Sequence, residues 1–425
     1  MTGGYAVKAN ESVQNYPSRL REMSNYAARE VKKVCTEIGP RESGEESERK
    51  AQAYVAESMK NFCDSVETEE FDVHPKAFMS WVPIDVVLTL LSIACIILKK
   101  FGVFGETAGL YLNIAAAAFC FIGLFLMIME FLFYKQLLDP LFPKRTTCNV
   151  LCTRKPSGEA KRRIIFSGHV DSAYEWYYTH LGGGALLKLV IITSIGSMIL
   201  NFVFDIASFF ALPKAVDTGI LIAAFVTAVP IIAAAFFVNW KLVVPGANDN
   251  LTGVFASMAV IRFMEHNNIR FENTEVVAVS TACEEAGLRG AKAFAKKHAK
   301  DDIETVVIAV DTLRDFDYMG VYNKDMTGTV KLDGSVAAMV KKASEIAGLD
   351  LPYANVYFGS SDAAAMAQGG LRSAALCAMD PAPARYYHTR EDTPDNLDLK
   401  TIEAGINVML ETAFLYDTEG LKESY

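Results

Sequence analysis

The stretch "TEVVAVSTACEEAGLRGAKAFAKKHA", Thr274 to Ala299, contains a strand pattern, an acidic turn and a helix pattern in direct succession. Its opening segment, "TEVVAVST", is rich in β-branched residues, which predicts a buried strand. Its closing segment, "LRGAKAFAKKHA", mixes alanine and phenylalanine with lysine at helical spacing, which predicts an amphipathic helix. Glu284 and Glu285 lie between the two. The stretch therefore predicts one strand–helix unit with two carboxylates after its strand.

The same alternation of strand and helix continues on both sides. Downstream, "IETVVIAVD" and "LRSAALCAM" predict strands and "SVAAMVKKASEIAG" a helix, followed by a last helix from Leu399 to Leu415. Upstream, Pro17 to Phe62 predicts two amphipathic helices, "VETEEFDVHP" an edge strand, and "TTCNVLCTRKPSGEAKRRIIFSGHVD" two strands around a Pro-Ser-Gly turn. This order predicts an α/β fold, a three-layer sandwich with a mixed, largely parallel central sheet and helices on both faces.

Four long apolar runs interrupt this pattern. The chain of 425 residues is 51% hydrophobic but still 21% charged, so the apolar excess is concentrated locally. Each run approaches the roughly 20 residues that cross a bilayer as a helix, and Trp81, Tyr134 and Trp240 stand at run ends as interfacial aromatics do. The runs therefore predict two transmembrane hairpins, with the lipid bilayer as a partner. The alternative is that they are helices of a buried core; Asp85 within the first run favours that alternative there.

The hairpins divide the soluble part of the chain. We expect the α/β domain to occupy residues 1–80, 135–184 and 241–425, with the first hairpin at residues 81–134 and the second at residues 185–240. The net charge of −9 and a pI near 5.4 give no basic patch, which excludes nucleic-acid binding. A transporter is disfavoured, because only four spans, separated by soluble segments, would be available to form a transport pathway.

The charge around the runs predicts the orientation in the membrane. Both hairpins return to the side that they left, and basic residues near span ends are more numerous on the α/β side than in the hairpin tips. On the α/β side these are Lys76, Lys135, Lys144, Arg145, Lys188 and Lys241, against Lys99, Lys100 and Lys214 in the tips. The N-terminus has no secretory signal pattern, and the eight cysteines are scattered without a CxxC pair. We therefore expect a multi-pass membrane protein whose α/β domain faces the cytoplasm.

Polar motifs follow several of the predicted strands and loops. They are "SGHVDS", "GANDN", "ACEEAG", "AVDTLRD" and, before the last helix, "RYYHTREDTPDN". Carboxylates and imidazoles converging from separate strand ends suit zinc, and two zinc ions sharing one bridging carboxylate need about five protein ligands. The candidate ligands are His169, Asp249, Glu285, Asp311 and His388. Singly, each has a simpler explanation: a surface histidine, a solvated helix start at the two glutamates, or a helix cap at Asp311.

Together these motifs resemble the di-zinc aminopeptidase family, of the bacterial leucyl aminopeptidase type, which also includes glutaminyl cyclases and transferrin-receptor-like proteins. The resemblance covers about Pro17 to Pro75 and Thr147 to the C-terminus, and leaves out both hairpins. It implies that Asp249 bridges two zinc ions, although other divalent metals are possible. The ligand pairs that it implies are His169 and Asp311 for one ion, and Glu285 and His388 for the other.

The resemblance also implies the remaining roles. Glu284 would be the general base, since a carboxylate beside the metals can take a proton from water and pass it to the leaving amine. Asp171 would orient the His169 imidazole. Tyr387 would donate to the oxyanion, although Tyr386 is adjacent. Asp362 in "GSSDAAAM" matches a family position, but a helix cap is the simpler role for it.

The expected function is that of a membrane-anchored, zinc-dependent exopeptidase. Among exopeptidases, the favoured kind is an aminopeptidase, which hydrolyses the N-terminal bond of peptides. Within the family the alternatives are a glutaminyl cyclase, which normally keeps one zinc, or another exopeptidase. Outside it, the alternative is a non-catalytic receptor or binding module on the same fold, which would be expected to have lost ligands. The sequence leaves the oligomeric state, the metal and the preferred N-terminal residue open.

Overall fold

The computed structural model describes residues 8–423 and divides into two compact units. The α/β unit comprises Met1–Pro75, Lys144–Tyr174 and Val243–Tyr425. The helical unit comprises Lys76–Pro143 and Glu175–Leu242. Each unit is thus assembled from segments that are separated in sequence.

The helices and strands lie close to the bounds that the sequence predicts. The α-helices are α1 (Ala9–Ser12), α2 (Tyr16–Glu37), α3 (Glu46–Met59), α4 (Trp81–Lys100), α5 (Gly105–Leu126), α6 (Tyr177–Ala207), α7 (Lys214–Ala234), α8 (Thr252–His266), α9 (Arg289–His298), α10 (Gly334–Ile346), α11 (Asp362–Gln368) and α12 (Leu399–Glu419). The strands are β1 (Ser65–Val73), β2 (Arg145–Arg154), β3 (Arg162–His169), β4 (Tyr174–Trp176), β5 (Val238–Val243), β6 (Thr274–Thr281), β7 (Glu304–Leu313), β8 (Met319–Asp325), β9 (Val330–Lys331), β10 (Tyr353–Asn355) and β11 (Arg372–Ala378). Helices α1 and α11 and strands β4, β5 and β8 to β10 were not predicted.

The α/β unit is built on a sheet of nine strands among the described residues. Its order is β1-β2-β6-β3-β7-β11-β8-β10, and β9 pairs with β8. The four central strands β6, β3, β7 and β11 run parallel to one another, whereas β1 and β2 pair antiparallel with their neighbours. Strand β8 is antiparallel to β11 and β9 and parallel to β10. The predicted mixed, largely parallel sheet with β1 at its edge is therefore confirmed.

Helices cover both faces of this sheet. Because side chains alternate across a strand, neighbouring residues of β7 enter different cores. Ile308 and Val310 belong to the large core that also holds α2, α8, α10 and α12, whereas Ala309 belongs to a smaller core with Ala363 of α11. Helix α8 is buried almost along its whole length and contacts β3, β6 and β7. This burial fixes the start of α8 against the carboxyl ends of those strands.

The helical unit contains α4 to α7 and most of the two short strands β4 and β5, which pair with each other. Four helices in the described part of the chain are long and apolar enough to cross a membrane, as the sequence predicts. Only 22% to 39% of their most apolar windows is buried inside the protein. Large side chains such as Ile192 and Val229 are 68% and 67% exposed. A buried soluble core does not leave apolar side chains exposed in this way, so the core alternative is disfavoured.

Candidate metal centre

The parallel strands bring the polar motifs to one edge of the sheet. His169 is the last residue of β3, Asp311 lies near the end of β7, and Glu284 and Glu285 follow β6. Since the carboxyl ends of parallel strands meet at the same edge, these side chains converge. Asp249 comes from the turn before α8, which packs on the same strands. His388 lies in the loop between β11 and α12.

The carboxylate of Asp249 stands between two histidines. Its Oδ1 is 3.2 Å from His169 Nε2, and its Oδ2 is 3.0 Å from His388 Nε2. His388 Nε2 is also 3.2 Å from Glu285 Oε1, and His169 Nε2 is 3.8 Å from Glu284 Oε2. Each oxygen of Asp249 therefore faces a different imidazole.

The other candidate ligands complete two overlapping groups. Potential ligand atoms of His169, Glu284 and Asp311 lie within 4.8 Å of one another, as do those of His169, Asp249 and Glu285. The described residues contain both groups at the same edge of the sheet. The structure thus brings together all five ligands that the sequence predicts, with Glu284 beside them. Asp311 lies within a strand, so the simpler role of a helix cap is wrong for it.

The charged groups of the site fit a bound cation. Burial raises the pKa of Glu284 well above its usual range, and the neighbouring Glu285 adds to this effect. Burial and the nearby Asp249 raise the pKa of Asp311 to about 7. Burial alone would raise the pKa of Asp249 too, but hydrogen bonds from His169 and His388 outweigh it and hold that pKa below its usual range. Four carboxyl groups, those of buried Asp249 and Glu284 and of half-buried Glu285 and Asp311, surround two imidazoles. The site is therefore short of positive charge, which divalent cations would supply.

The distances between ligands fit zinc as well. Zn–N and Zn–O bonds of about 2.0–2.2 Å in a tetrahedron place neighbouring ligand atoms about 3.3 Å apart. The three contacts among Asp249, His169, His388 and Glu285 measure 3.0 to 3.2 Å, close to that value. Asp249 Oδ2 and Glu285 Oε1 are buried, and both lie within 3.2 Å of His388 Nε2. The residues present therefore suit zinc in donor type, charge and spacing.

Asp171 holds the turn that carries the two glutamates. Its Oδ1 accepts a hydrogen bond from the Glu284 backbone N–H, and its Oδ2 accepts one from the Glu285 N–H, both at 3.0 Å. Oδ2 also accepts from Ser43 Oγ at 2.7 Å, and Oδ1 is 3.4 Å from His169 Nδ1. The predicted contact with His169 is thus one of several, and the tighter ones fix the glutamate turn.

Asp392, which the sequence analysis missed, holds the turn of Asp249 in a similar way. Its Oδ2 accepts from the Asp249 N–H at 3.0 Å, and its Oδ1 accepts from the Asn248 N–H at 2.8 Å. Asn250 ties the same turn to β7, because its Nδ2 donates to Val310 O at 2.8 Å. Asp392 lies in the quoted "HTREDTPDN" stretch, but nothing in its spacing from Asp249 marks the contact.

Two more buried charged residues that sequence reasoning missed support the site from the N-terminal part of the chain, Arg41 in the loop between α2 and α3 and Glu48 on α3. Arg41 is fully buried and donates to the carbonyl oxygens of Val170, Pro245 and Gly246 at 2.6 to 2.7 Å. It thereby joins the chain after His169 to the chain before Asp249. Glu48 accepts from the backbone N–H of Cys283 at 2.8 Å, directly before the glutamate pair.

The two adjacent tyrosines have different surroundings. The Tyr386 hydroxyl donates to Asp315 Oδ2 at 2.8 Å and is thereby engaged outside the ligand group. The Tyr387 ring stacks on the His388 ring, with centroids 4.0 Å apart. Burial raises the pKa of Tyr387, and the nearby carboxylates of Asp249 and Glu285 add to the effect. Tyr387 is therefore the tyrosine that faces the candidate site.

Asp362 also faces this region. Ser361, not Asp362, caps α11, because its side chain accepts from the Ala363 N–H. Asp362 is buried and accepts from Thr281 Oγ1 at 2.5 Å, at the end of β6. The simpler role of a helix cap is therefore wrong for Asp362, which instead adds a carboxyl group beside the glutamate turn.

Comparisons with known proteins give one matching family model and several similar folds. The family model described as "Peptidase family M28" matches residues 211–413. The fold is similar to that of a zinc aminopeptidase from Bacillus subtilis, with a TM-score of 0.53 and 14% identity over 95% of this chain and 96% of that chain. It is also similar to a glutaminyl cyclase from Fimbriiglobus ruber, with a TM-score of 0.55 and 14% identity over 92% of this chain and 95% of that chain. An aminopeptidase from Legionella pneumophila gives a TM-score of 0.53 at 13% identity, covering 100% of this chain and 78% of that chain.

Proposed function

Given that the chain resembles Peptidase family M28 in motifs, fold and family match, we propose that it is a membrane-anchored zinc exopeptidase, specifically an aminopeptidase. The observation that carries this proposal is Asp249, whose two carboxylate oxygens face His169 and His388 separately. Zinc ions held by the five ligands would polarise the scissile carbonyl and make a water molecule more acidic. The receptor alternative is disfavoured because all five ligand positions are filled by ligand residues.

The residues of the chain itself would move the proton. Glu284 stands beside the ligand group without the close contact to His388 that Glu285 makes. Its raised pKa, caused by burial and by neighbouring carboxylates, suits a group that takes a proton from water and later gives it to the leaving amine. The Tyr387 hydroxyl would donate a hydrogen bond to the developing oxyanion. Asp171 would hold Glu284 and Glu285 in register by accepting from both backbone N–H groups.

The first test separates the base from the ligands. Glu284→Gln should keep its zinc and lose at least about a hundredfold in the rate of peptide hydrolysis, the scale of a general base. Asp249→Ala should lose zinc as well, because the bridging carboxylate is gone. Glu272→Gln, an exposed glutamate before β6, is the matched control and should keep both zinc and rate. Near-normal hydrolysis by Glu284→Gln would contradict the proposed role.

The same protein should be assayed on a panel of substrates. Aminoacyl fluorogenic substrates, N-blocked peptides and C-blocked peptides distinguish an aminopeptidase from other exopeptidases, and an N-terminal glutaminyl peptide reports cyclisation. Zinc content measured on the same sample distinguishes two ions from one. Cleavage of N-blocked peptides only, or cyclisation without hydrolysis, would replace aminopeptidase by one of the family alternatives.

Anchoring in the bilayer is the second part of the proposal. It is supported by the four apolar helices and by their low internal burial. The full-length protein should stay with membranes in high salt or carbonate and require detergent for release, because apolar burial does not depend on screened charge. Recovery of a monodisperse protein without detergent would contradict it. An impermeant thiol reagent on intact cells should leave Cys148 unlabelled if the α/β unit faces the cytoplasm.

A further inference from the structure

Helix α4 carries a line of polar residues that it buries inside the helical unit. Asp85, Thr89 and Ser92 are spaced by four and three residues, so they lie on one face of the helix. Their exposed fractions are 2%, 0% and 0%. The helix otherwise consists largely of apolar residues, and a buried ionisable residue in such a helix marks a candidate functional site.

Asp85 lies where α4 meets two other helices. A Cβ built at Gly123 of α5 would lie 3.7 Å from Asp85 Oδ1 and 3.7 Å from Met198 Cε of α6. One turn before Gly123, Cys120 Sγ donates to the Met198 carbonyl at 3.5 Å, which holds α5 against α6. The absence of a side chain at Gly123 thus leaves room for the carboxylate between the three helices.

The carboxylate of Asp85 has no protein partner among the described residues. Both of its oxygens are buried and accept no hydrogen bond, and the same is true of Thr89 Oγ1, one turn further along α4. By contrast, the buried carboxylate of Asp205 on α6 accepts from Ser92 Oγ at 2.7 Å. Asp85 and Thr89 therefore present three unused oxygen acceptors at a three-helix junction.

Within residues 8–423, none of the described ion pairs joins Asp85 to a basic side chain. The basic residues of α4 are used elsewhere: Lys99 Nζ donates to the Ser208 carbonyl at 2.6 Å, and Lys100 pairs with Asp217. A charged carboxylate in an apolar environment is strongly disfavoured unless a cation neutralises it. The unused oxygen acceptors and the lack of a basic side chain paired with Asp85 both favour a bound cation as the ligand.

We propose that Asp85 and Thr89 form a binding site for a small monovalent cation, with sodium as the probe. Carboxylate and hydroxyl oxygens are the donors that hard cations prefer, and one positive charge balances the carboxylate of Asp85. The site lies in the helical unit and is separate from the candidate zinc ligands. Its test does not depend on peptidase activity.

The test is direct binding of radioactive sodium to the full-length protein purified in detergent. The wild-type protein should bind saturably about one sodium ion per chain, with choline chloride maintaining the ionic strength. Asp85→Asn should abolish this binding, because it removes the charge and keeps the size. Thr89→Val should weaken it about fivefold, the effect of losing one neutral oxygen partner. Glu106→Gln, at an exposed glutamate in the first turn of α5, is the matched control and should bind as the wild type does.

A second readout covers the case in which Asp85→Asn fails to fold. Sodium should raise the Tm of the wild-type protein by about 1–2 °C for each tenfold increase above its Kd. Potassium and choline serve as comparison salts. Sodium binding that survives in Asp85→Asn would overturn the proposal. So would a wild-type Tm that responds to pH but not to sodium, because a proton then neutralises Asp85.

Discussion

Replacing Asp171 by asparagine tests how the glutamate turn is held. The substitution keeps the size of the side chain and changes one acceptor oxygen into an NH₂ group, which cannot accept a hydrogen bond. If the NH₂ takes the place of Oδ1, the Glu284 N–H loses its acceptor. If it takes the place of Oδ2, the Glu285 N–H loses its acceptor instead, and so does the Ser43 hydroxyl. Either rotamer leaves one buried backbone N–H without a partner.

The expected size of the effect follows from this count. One unsatisfied buried donor costs about 1–3 kcal/mol of folding free energy. Loss of a group that orients metal ligands typically lowers metal affinity or activity about 10–100-fold. Because the affected turn carries both Glu284 and Glu285, Asp171→Asn should lower zinc affinity and kcat/KM together.

The assay combines chelator titration of zinc, steady-state kinetics and thermal unfolding on one preparation. Ser43→Ala is the matched control, since it removes only the hydroxyl donor to Oδ2 and leaves both backbone contacts intact. It should change zinc affinity less than threefold, which corresponds to about 0.6 kcal/mol. Wild-type zinc affinity and rate in Asp171→Asn would refute the view that this carboxylate holds the turn.

Two further substitutions test other parts of the α/β unit. A Cβ at Gly168 would meet the Val254 backbone N at 2.4 Å, so Gly168→Ala should destabilise the protein by at least about 1–3 kcal/mol in thermal unfolding, whereas Gly334→Ala, with open space around it, should not. The pKa of His298 is raised, because Glu69 at 2.9 Å and a second carboxylate outweigh the effect of burial. The native state therefore binds this proton more tightly than the unfolded chain, and the resulting stability is complete below about pH 6.5 and is lost as the pH rises through the folded pKa. His298→Gln should thus lower the Tm near pH 6 and have a smaller effect at higher pH; an equal Tm change at all pH values would contradict this.

Much of the fold is readable in the sequence because its elements are long and strongly patterned. The strands β3, β6, β7 and β11 are apolar runs next to helices, and the parallel order that follows from them locates the site. Strands β9 and β10 have two and three residues, too few for a periodic signal. Their pairing is decided by contacts with β8 rather than by local preference.

The residues of the candidate site were also predictable only in part. Residues that carry the chemistry lie in motifs whose spacing marks them, such as His169 and Asp249. Residues that hold those motifs in place do not. Asp392 reaches Asn248 and Asp249 from a loop far along the chain. The Arg41 guanidinium donates to backbone carbonyls, which every residue type has, so the identities of its partners do not reveal the contact. Such contacts depend on the folded path of the chain.

The position of β3 in the sheet has a consequence for how the chain is made. Both neighbours of β3, β6 and β7, follow the second apolar hairpin in sequence. A ribosome adding about 5–20 residues per second needs roughly 5–20 s to travel from the end of β3 to the start of β6. During that time β3 is an apolar strand without its partners, and such edges promote aggregation.

His388 lies still later, near the end of the chain, and it faces one of the two oxygens of Asp249. The second half of the candidate metal centre therefore cannot form until His388 has been synthesised. A nascent chain of this protein would remain without hydrolytic activity while both apolar hairpins are being made, and would become a peptidase only after His388 has emerged and joined the other candidate ligands.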